Sequence, residues 1–321
     1  MSGGKDGGAP ATAHPREVLL GVAPPRHPVR VRRETILGYA LILPSLAVFL
    51  VFFIYPLAYS LYLSFFRWDM MMPMQFVGTR NYRELVNAAE FREVLGNTLE
   101  YSAGVVVSAM GTGLVLALLL NRRTTLSSFF QACIFTSYIV SWVAVSLLWI
   151  WMLDPQYGLV NYLTSFLRMP PMDWLGNYRL ALWSLVAVTV WKIVGYPMVI
   201  FLAGLQSISR EYYEAASLDG AGTWHQFRFI TWPLLTPTTL FLFITLSIAT
   251  FQGFDIVNIM TQGGPVHSTS IYVFYIYEQA FHYFRLGTAS AAVIVCFLLI
   301  LLLTFLEHRV FRRGVHYTEV G

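Results

Sequence analysis

Six stretches of this chain are apolar over enough residues to cross a bilayer, and a soluble fold has no use for that pattern. About 20 consecutive apolar residues span the hydrocarbon core. The stretches run from about Ile36 to Phe66, Thr98 to Leu120, Phe129 to Leu153, Leu180 to Leu205, Thr238 to Thr261 and Leu286 to Leu306. Hydrophobic side chains make up 56% of the 321 residues and charged ones only 12%, too few to solvate a globule of this length. The expected fold class is all-α, a polytopic membrane protein of six transmembrane helices, with both termini on the same side. Residues 1–34 are rich in Gly, Ala, Pro and Arg, lack apolar periodicity and read as a disordered tail. The membrane domain is expected over residues 35–306 and a short second tail over residues 307–321. The first apolar run is too long for a cleaved signal peptide and reads as retained.

Lys and Arg set the orientation. With the N-terminal tail inside, thirteen of them fall on the inner segments and seven on the outer loops. The positive-inside rule then puts both tails, and the loop between the fourth and fifth stretches, in the cytoplasm. The net charge of +4 therefore speaks of topology and not of nucleic acid. Cys133 and Cys296 lie inside apolar stretches, and the seven histidines lack ligand spacing, so neither a disulfide nor a metal site is expected. The only lysines, Lys5 and Lys192, do not follow the glycine pattern that wraps nucleotide phosphates. No Ser, His and Asp order suggests hydrolysis either, so the chain reads as non-catalytic.

The loop from Gln206 to Pro237 is a polar island between two apolar stretches. Ser209 is placed to cap a short helix carrying Glu211 and Glu214, which stops at Asp219-Gly220. Thr223 and Gln226 have the spacing of a capping box that opens a second helix. Pro233 and Pro237 lack an amide donor and mark the first turns of re-entry into the membrane. A helix, a glycine corner and a second helix at a membrane face make a docking element.

Away from the ends of the apolar stretches two residues, a Lys and an Asp, can carry charge, and such groups are functional candidates because burying them in lipid is costly. Lys192 lies in the middle of the fourth stretch, with Tyr196 one helical turn further on. A Lys beside an aromatic hydroxyl suits a polyhydroxylated or phosphorylated solute. Asp255 lies late in the fifth stretch. Each has a structural alternative: a Lys192 that snorkels or pairs with a carboxylate, and an Asp255 buried and bonded to neighbouring helices. In the second stretch, Gly104, Ser108 and Thr112 form one small-residue stripe and Ala109, Gly113 and Ala117 another, either of which allows close helix approach. Trp142, Trp149, Trp151 and Trp183 suit interfaces or helix contacts.

Glu214-Ala215-Ala216, Gly220, Ile230 and Pro233 stand at the spacing of the EAA loop, and the chain resembles the permease subunits of binding-protein-dependent ABC importers. Trp232 stands where that pattern usually has Leu. The stretch FVGTRNY, at Phe76 to Tyr82, is similar to the FVG-x-x-NY segment of maltose-type and glycerol-phosphate-type permeases. Trp191-Lys192 with Gly195-Tyr196, and Phe254-Asp255 followed by Thr261 and Gly263-Gly264-Pro265, extend the likeness across most of the membrane part. The third stretch has Thr136-Ser137 where relatives often have a proline.

The resemblance implies a type I ABC importer permease fold, with a coupling loop at residues 206–236. It assigns Glu214, Ala215, Ala216, Asp219 and Gly220 to contact with an ATPase subunit. Matched by spacing, Lys192, Ile193, Tyr196, Leu246, Ala249, Thr250 and Gly253 fall at solute-pathway positions, and Asp255 joins them as a candidate. Implied partners are a second permease, an ATP-binding cassette dimer that holds the ATP and Mg, an extracytoplasmic solute-binding protein and membrane lipid. The expected location is a bacterial inner membrane, and the expected cargo a sugar or sugar-like solute. An ion-driven secondary transporter is the principal alternative, although such proteins usually carry internal repeats with charges in corresponding halves. A non-transporting scaffold is a third reading.

Overall fold

A computed structural model describes residues 28–122 and 124–311. Most of the tail expected over residues 1–34, with Lys5, lies outside the described residues, as do Arg123 and residues 312–321. The chain divides into two compact units, Met1–Tyr55 and Pro56–Gly321. In the first, α1 (Pro28–Phe49) is followed by a π-helical turn, Leu50–Ile54. Residues 28–34, read from the sequence as tail, are therefore helical. The large side chains from Ile36 to Tyr55 are exposed, as expected of a helix whose environment is lipid or another subunit.

The second unit begins with the end of α2 (Tyr55–Leu63), then a hairpin of β1 (Phe66–Arg67) and β2 (Gln75–Phe76), in which Phe66 pairs with Phe76. This is a small exception to the all-helical expectation. Asp69, in the hairpin loop, accepts from the amides of Met72 and Met71 at 2.8 and 3.1 Å, which holds its carboxyl below the usual range. The FVG-x-x-NY segment packs back on the end of α2 from α3 (Arg80–Asn87). Asn81 Nδ2 donates to the carbonyls of Ser64 and Phe66 at 2.7 and 2.9 Å, and Tyr82 shares a 2.6 Å hydrogen bond with the Ser64 hydroxyl.

The spine of the unit is α4 (Ala89–Leu120), which at 1.5 Å per residue is about 48 Å long. It starts nine residues before the expected Thr98, so part of the presumed outer loop belongs to it. Three apolar clusters lie along it, around Phe91 and Val94, then Tyr101 to Ala109, then Ala117. Of the two small-residue stripes, Ala109, Gly113 and Ala117 are the buried one, while Ser108 and Thr112 face out. A side chain at Gly113 would meet Pro197 and Met198 at 3.0–3.1 Å, which accounts for the small residue there.

Next come α5 (Thr125–Ile139) and α6 (Trp142–Met152), bent by 98° against each other, then α7 (Leu159–Ser165). Helices α8 (Ala181–Ile193) and α9 (Gly195–Ser207) meet at 48°, near Pro197, which cannot donate to the Ile193 carbonyl. The polar island forms α10 (Arg210–Leu218), α11 (Thr223–Gln226), a π-helical turn and α12 (Trp232–Leu234). A 60° bend then leads into α13 (Thr236–Phe251), where Pro237 removes the bond to the Pro233 carbonyl. Helices α14 (Asp255–Met260), α15 (Tyr272–Tyr277) and α16 (Leu286–Phe311) complete the unit.

Among the described residues, Thr35–Leu63, Ala89–Leu120 and Leu286–Glu307 are each long and apolar enough to cross a membrane alone. Six crossings result if each bent pair counts as one. The third and fourth expected spans are thus broken helices, which hydropathy alone does not reveal; the third bent pair breaks at Leu235, ahead of the expected Thr238, and its first arm, Thr223–Leu234, lies in the loop that the sequence placed outside the membrane.

Candidate functional site

The break between α5 and α6 sets up the site. Val140 and Ser141 are extended, so the last carbonyls of α5 lose their helical partners. In a bilayer such groups must be satisfied by protein. Lys192, 2% exposed, does this from α8: its Nζ donates to the carbonyls of Val140 at 2.8 Å and Tyr138 at 3.0 Å. The ammonium also lies 4.6 Å from the Trp142 ring centroid. In return, Ser137 Oγ is within 3.2–3.3 Å of the carbonyls of Lys192 and Trp191, at the other break. At Ser137 and Lys192 this chain ties two broken helices together by side chains.

Beside this knot a cavity of about 320 Å³ opens between α4, α5, α8, α9 and α13. Ile193 and Tyr196 line one side and Leu246, Ala249, Thr250 and Gly253 the other, with Asp255 among its lining residues. Lys192 is not part of that wall; it lines an adjoining recess with Asp255, Trp142 and Tyr138. Lys192 is buried, but its partners are main-chain carbonyls, neither the carboxylate nor the membrane surface that the structural alternatives named. Asp255 is exposed, in the first turn of α14, so the expectation of a buried, bonded carboxylate fails.

Thr250 reaches the cavity, but its hydroxyl is occupied by the Leu246 carbonyl at 2.9 Å and the Ser102 hydroxyl at 2.5 Å. Among the wall residues that sequence reasoning missed are Tyr101, Tyr138, Trp142 and Thr189. Tyr101 and Thr189 share a 2.8 Å hydrogen bond, and the rings of Tyr138 and Tyr196 stack at 5.4 Å and 18°. These residues lie one per helix on separate elements, so no local motif marks them. The result is a largely apolar, aromatic-walled chamber with a few hydroxyls in its wall, suited to a polar organic solute.

At the other end of α4 stands the helix, corner and helix. Ser209 Oγ accepts from the Glu211 amide at 3.3 Å. At the corner, Gly220 has φ +80°, which favours glycine. The amides of Gly220 and Ala221 donate to the carbonyls of Ser217 and Ala216 at 3.1 and 2.9 Å, a Schellman stop with Asp219 as its C-cap. The expected Thr223–Gln226 capping box does not form: Gly222 is the N-cap, and the Gln226 amide is used elsewhere. It donates to Ser217 Oγ at 2.9 Å and the Ala221 carbonyl at 3.2 Å, and Tyr213 and Thr231 share a 3.0 Å bond, so the two helices are tied side chain to side chain. Glu214 and Ala215 are exposed and Ala216 is half-buried. Leu218 is 90% exposed, and Trp224 and Phe229 are also largely exposed, so the elbow presents large apolar groups at its surface.

A multispan helical domain with a chamber between broken helices, and a tied helical elbow at one end, is that of a membrane transport permease. Residues 109–317 match the family of binding-protein-dependent transport system inner membrane components, and the chain belongs to that family. It is 36% identical to a trehalose/maltose transport system permease of Thermococcus litoralis, over 88% of this chain and 96% of that one. It is 31% identical to an sn-glycerol-3-phosphate transport system permease of Agrobacterium fabrum, over 88% of this chain and 97% of the other. A chain in the crystal structure of a bacterial alginate ABC transporter, bound to a periplasmic protein carrying alginate pentasaccharide, has the same fold. Its TM-score is 0.77 at 24% identity, over 88% of this chain and 96% of that one.

Proposed function

We propose that this chain is the permease subunit of an ATP-driven importer for a sugar or sugar-like solute, in the class of di- or oligosaccharides or glycerol phosphate. The solute is delivered by an extracytoplasmic binding protein, and a second permease completes the pathway. The excess of Lys and Arg on one side supports a cytoplasmic elbow and cytoplasmic termini in a bacterial inner membrane. Relatives named for sugar and glycerol-phosphate transport support the solute class.

The observation that carries the coupling role is the elbow itself. It is braced by its own side chains, yet it exposes Glu214, Leu218 and Trp224. Such a surface is built to be gripped, and the brace lets it move as a body. In this reading ATP and Mg, held by the partner ATPase, close that dimer and shift the elbow. The broken helices then rock between inward-open and outward-open forms. Glu214 transmits the motion, Ala215 and Ala216 allow close approach, and Asp219 with Gly220 fixes the corner.

The test is ATPase activity of the purified complex in lipid, with and without binding protein, across sugars and glycerol phosphates. Stimulation that needs binding protein and one solute class, and is lost in Glu214→Lys, is expected. Activity indifferent to every solute and to that substitution overturns the reading, and uptake driven by an ion gradient without ATP would favour a secondary transporter.

A further inference from the structure

We propose that Glu90, His267 and Glu278 form a binding site for a divalent transition-metal cation of the zinc or manganese type, at the end of the domain opposite the elbow. The residues are distant in sequence, so no ligand spacing announces them. Glu90 is in the first turn of α4, His267 is in the loop between α14 and α15, and Glu278 begins the π-helical turn Glu278–His282 after α15. Ligand atoms of the three side chains all lie within 4.8 Å of one another.

A second observation points to a missing partner. Glu278 is 8% exposed, and its Oε2 has no hydrogen-bond partner; nor does Glu90 Oε1. A buried carboxylate without a donor needs a counter-charge or a proton, and two of them facing each other need it more. One divalent cation balances both at once, and the imidazole adds a neutral ligand. Two carboxylate oxygens with one imidazole nitrogen suit zinc or manganese better than calcium or magnesium, which prefer all-oxygen sets.

The fit is geometrically modest in its demands. Ligand atoms about 2.0–2.1 Å from a tetrahedral zinc lie roughly 3.4 Å apart, so rotation of the flexible Glu side chains closes the set. His267 is already held in place: Asn97 Nδ2 donates to its carbonyl at 2.9 Å and to that of Ser270 at 3.2 Å. Water completes the coordination. When bound, the ion ties the loop after Gly263-Gly264-Pro265 to the start of α4 and the end of α15. The site stands independently of the transport reading, because its ligands touch neither the chamber nor the elbow.

The full chain in lipid nanodiscs, stripped with chelator, is titrated with ZnCl2 and separately with MnCl2. One ion per chain is expected, with affinity weakened roughly tenfold or more in His267→Ala and in Glu278→Gln. Spin-echo spectra of the Mn2+-loaded chain should contain imidazole nitrogen coupling that disappears in His267→Ala. Zinc should raise the melting temperature of the natural chain but not of the variants, and the metal-free melting curves verify that the variants are folded. No stoichiometric site in the natural chain, or equal affinity in folded variants, overturns the proposal. A Glu278→Gln chain that is more stable than a natural chain indifferent to metal also overturns it, and means that the two carboxylates share a proton.

Discussion

The ammonium of Lys192 donates to the carbonyl of Val140 at 2.8 Å, across the break between α5 and α6. The bond turns an intramembrane cation into a helix cap. A cation at a helix C-terminus meets the negative end of the helix dipole and satisfies carbonyls that have no amide in reach. Its position beside the chamber, but outside the wall, follows from that task.

Lys192→Met should therefore act on stability first. It leaves the Tyr138 and Val140 carbonyls without their donor, at about 1–3 kcal/mol for each buried group left unsatisfied. A lower melting temperature of the purified complex is expected even without solute. An unchanged melting temperature with altered solute affinity would return Lys192 to the pathway.

Thr250→Val should also destabilise without changing solute selectivity. The Thr250 hydroxyl is spent on α4 and on its own helix, and the substitution strands the Ser102 hydroxyl, which is 5% exposed. A loss of about 1 kcal/mol is expected. Thermal unfolding measures it, and the solute concentration for half-maximal ATPase stimulation should stay where it is.

The elbow was largely legible in the sequence because its signals are local. Ser209, Gly220 and the prolines act on their own neighbouring backbone, and each stands where its chemistry requires. The Thr223–Gln226 box failed because Gln226 had a better use across the corner, a tertiary choice that spacing does not encode. The same holds for the membrane part. Hydropathy found the apolar stretches but not their breaks, since an extended Val140-Ser141 is as apolar and as ordinary as a helical one. Lys192 was visible as an anomaly, while its partners, carbonyls of another helix, carry no side-chain signature. Likewise Tyr101, Tyr138, Trp142 and Thr189 look like packing residues until the helices bring them to one chamber.

Gly195→Ala should force the third and fourth spans apart. A Cβ at that position would sit 2.8 Å from Phe135 Cα and 2.9 Å from the Ile134 carbonyl oxygen, both main-chain atoms that cannot rotate away. This close approach is a physical reason for the glycine of Trp191-Lys192-x-x-Gly195-Tyr196. Overpacking of this kind costs about 1–3 kcal/mol. Reduced thermal stability is expected, with slower cross-linking of cysteine pairs placed across α5 and α9.

The stacked rings of Tyr138 and Tyr196 give the most direct reading of the chamber. Tyr138 stands at the end of α5, just before one break, and Tyr196 at the start of α9, just after another, so their stack links chamber shape to two broken spans. An aromatic face also suits the C–H face of a sugar ring, whereas the phenolic hydroxyls suit its edge. Tyr196→Phe keeps the stack and loses one hydroxyl; Tyr196→Leu loses both. Aromatic contact beyond simple burial is worth about 0.5–1.5 kcal/mol, or roughly two- to tenfold in an equilibrium. For the sugar reading, Tyr196→Leu should raise the half-saturating solute concentration for uptake by that factor while Tyr196→Phe shifts it less. Equal effects of the two variants would assign the recognition to the hydroxyl and point to a solute bound by its polar edge alone.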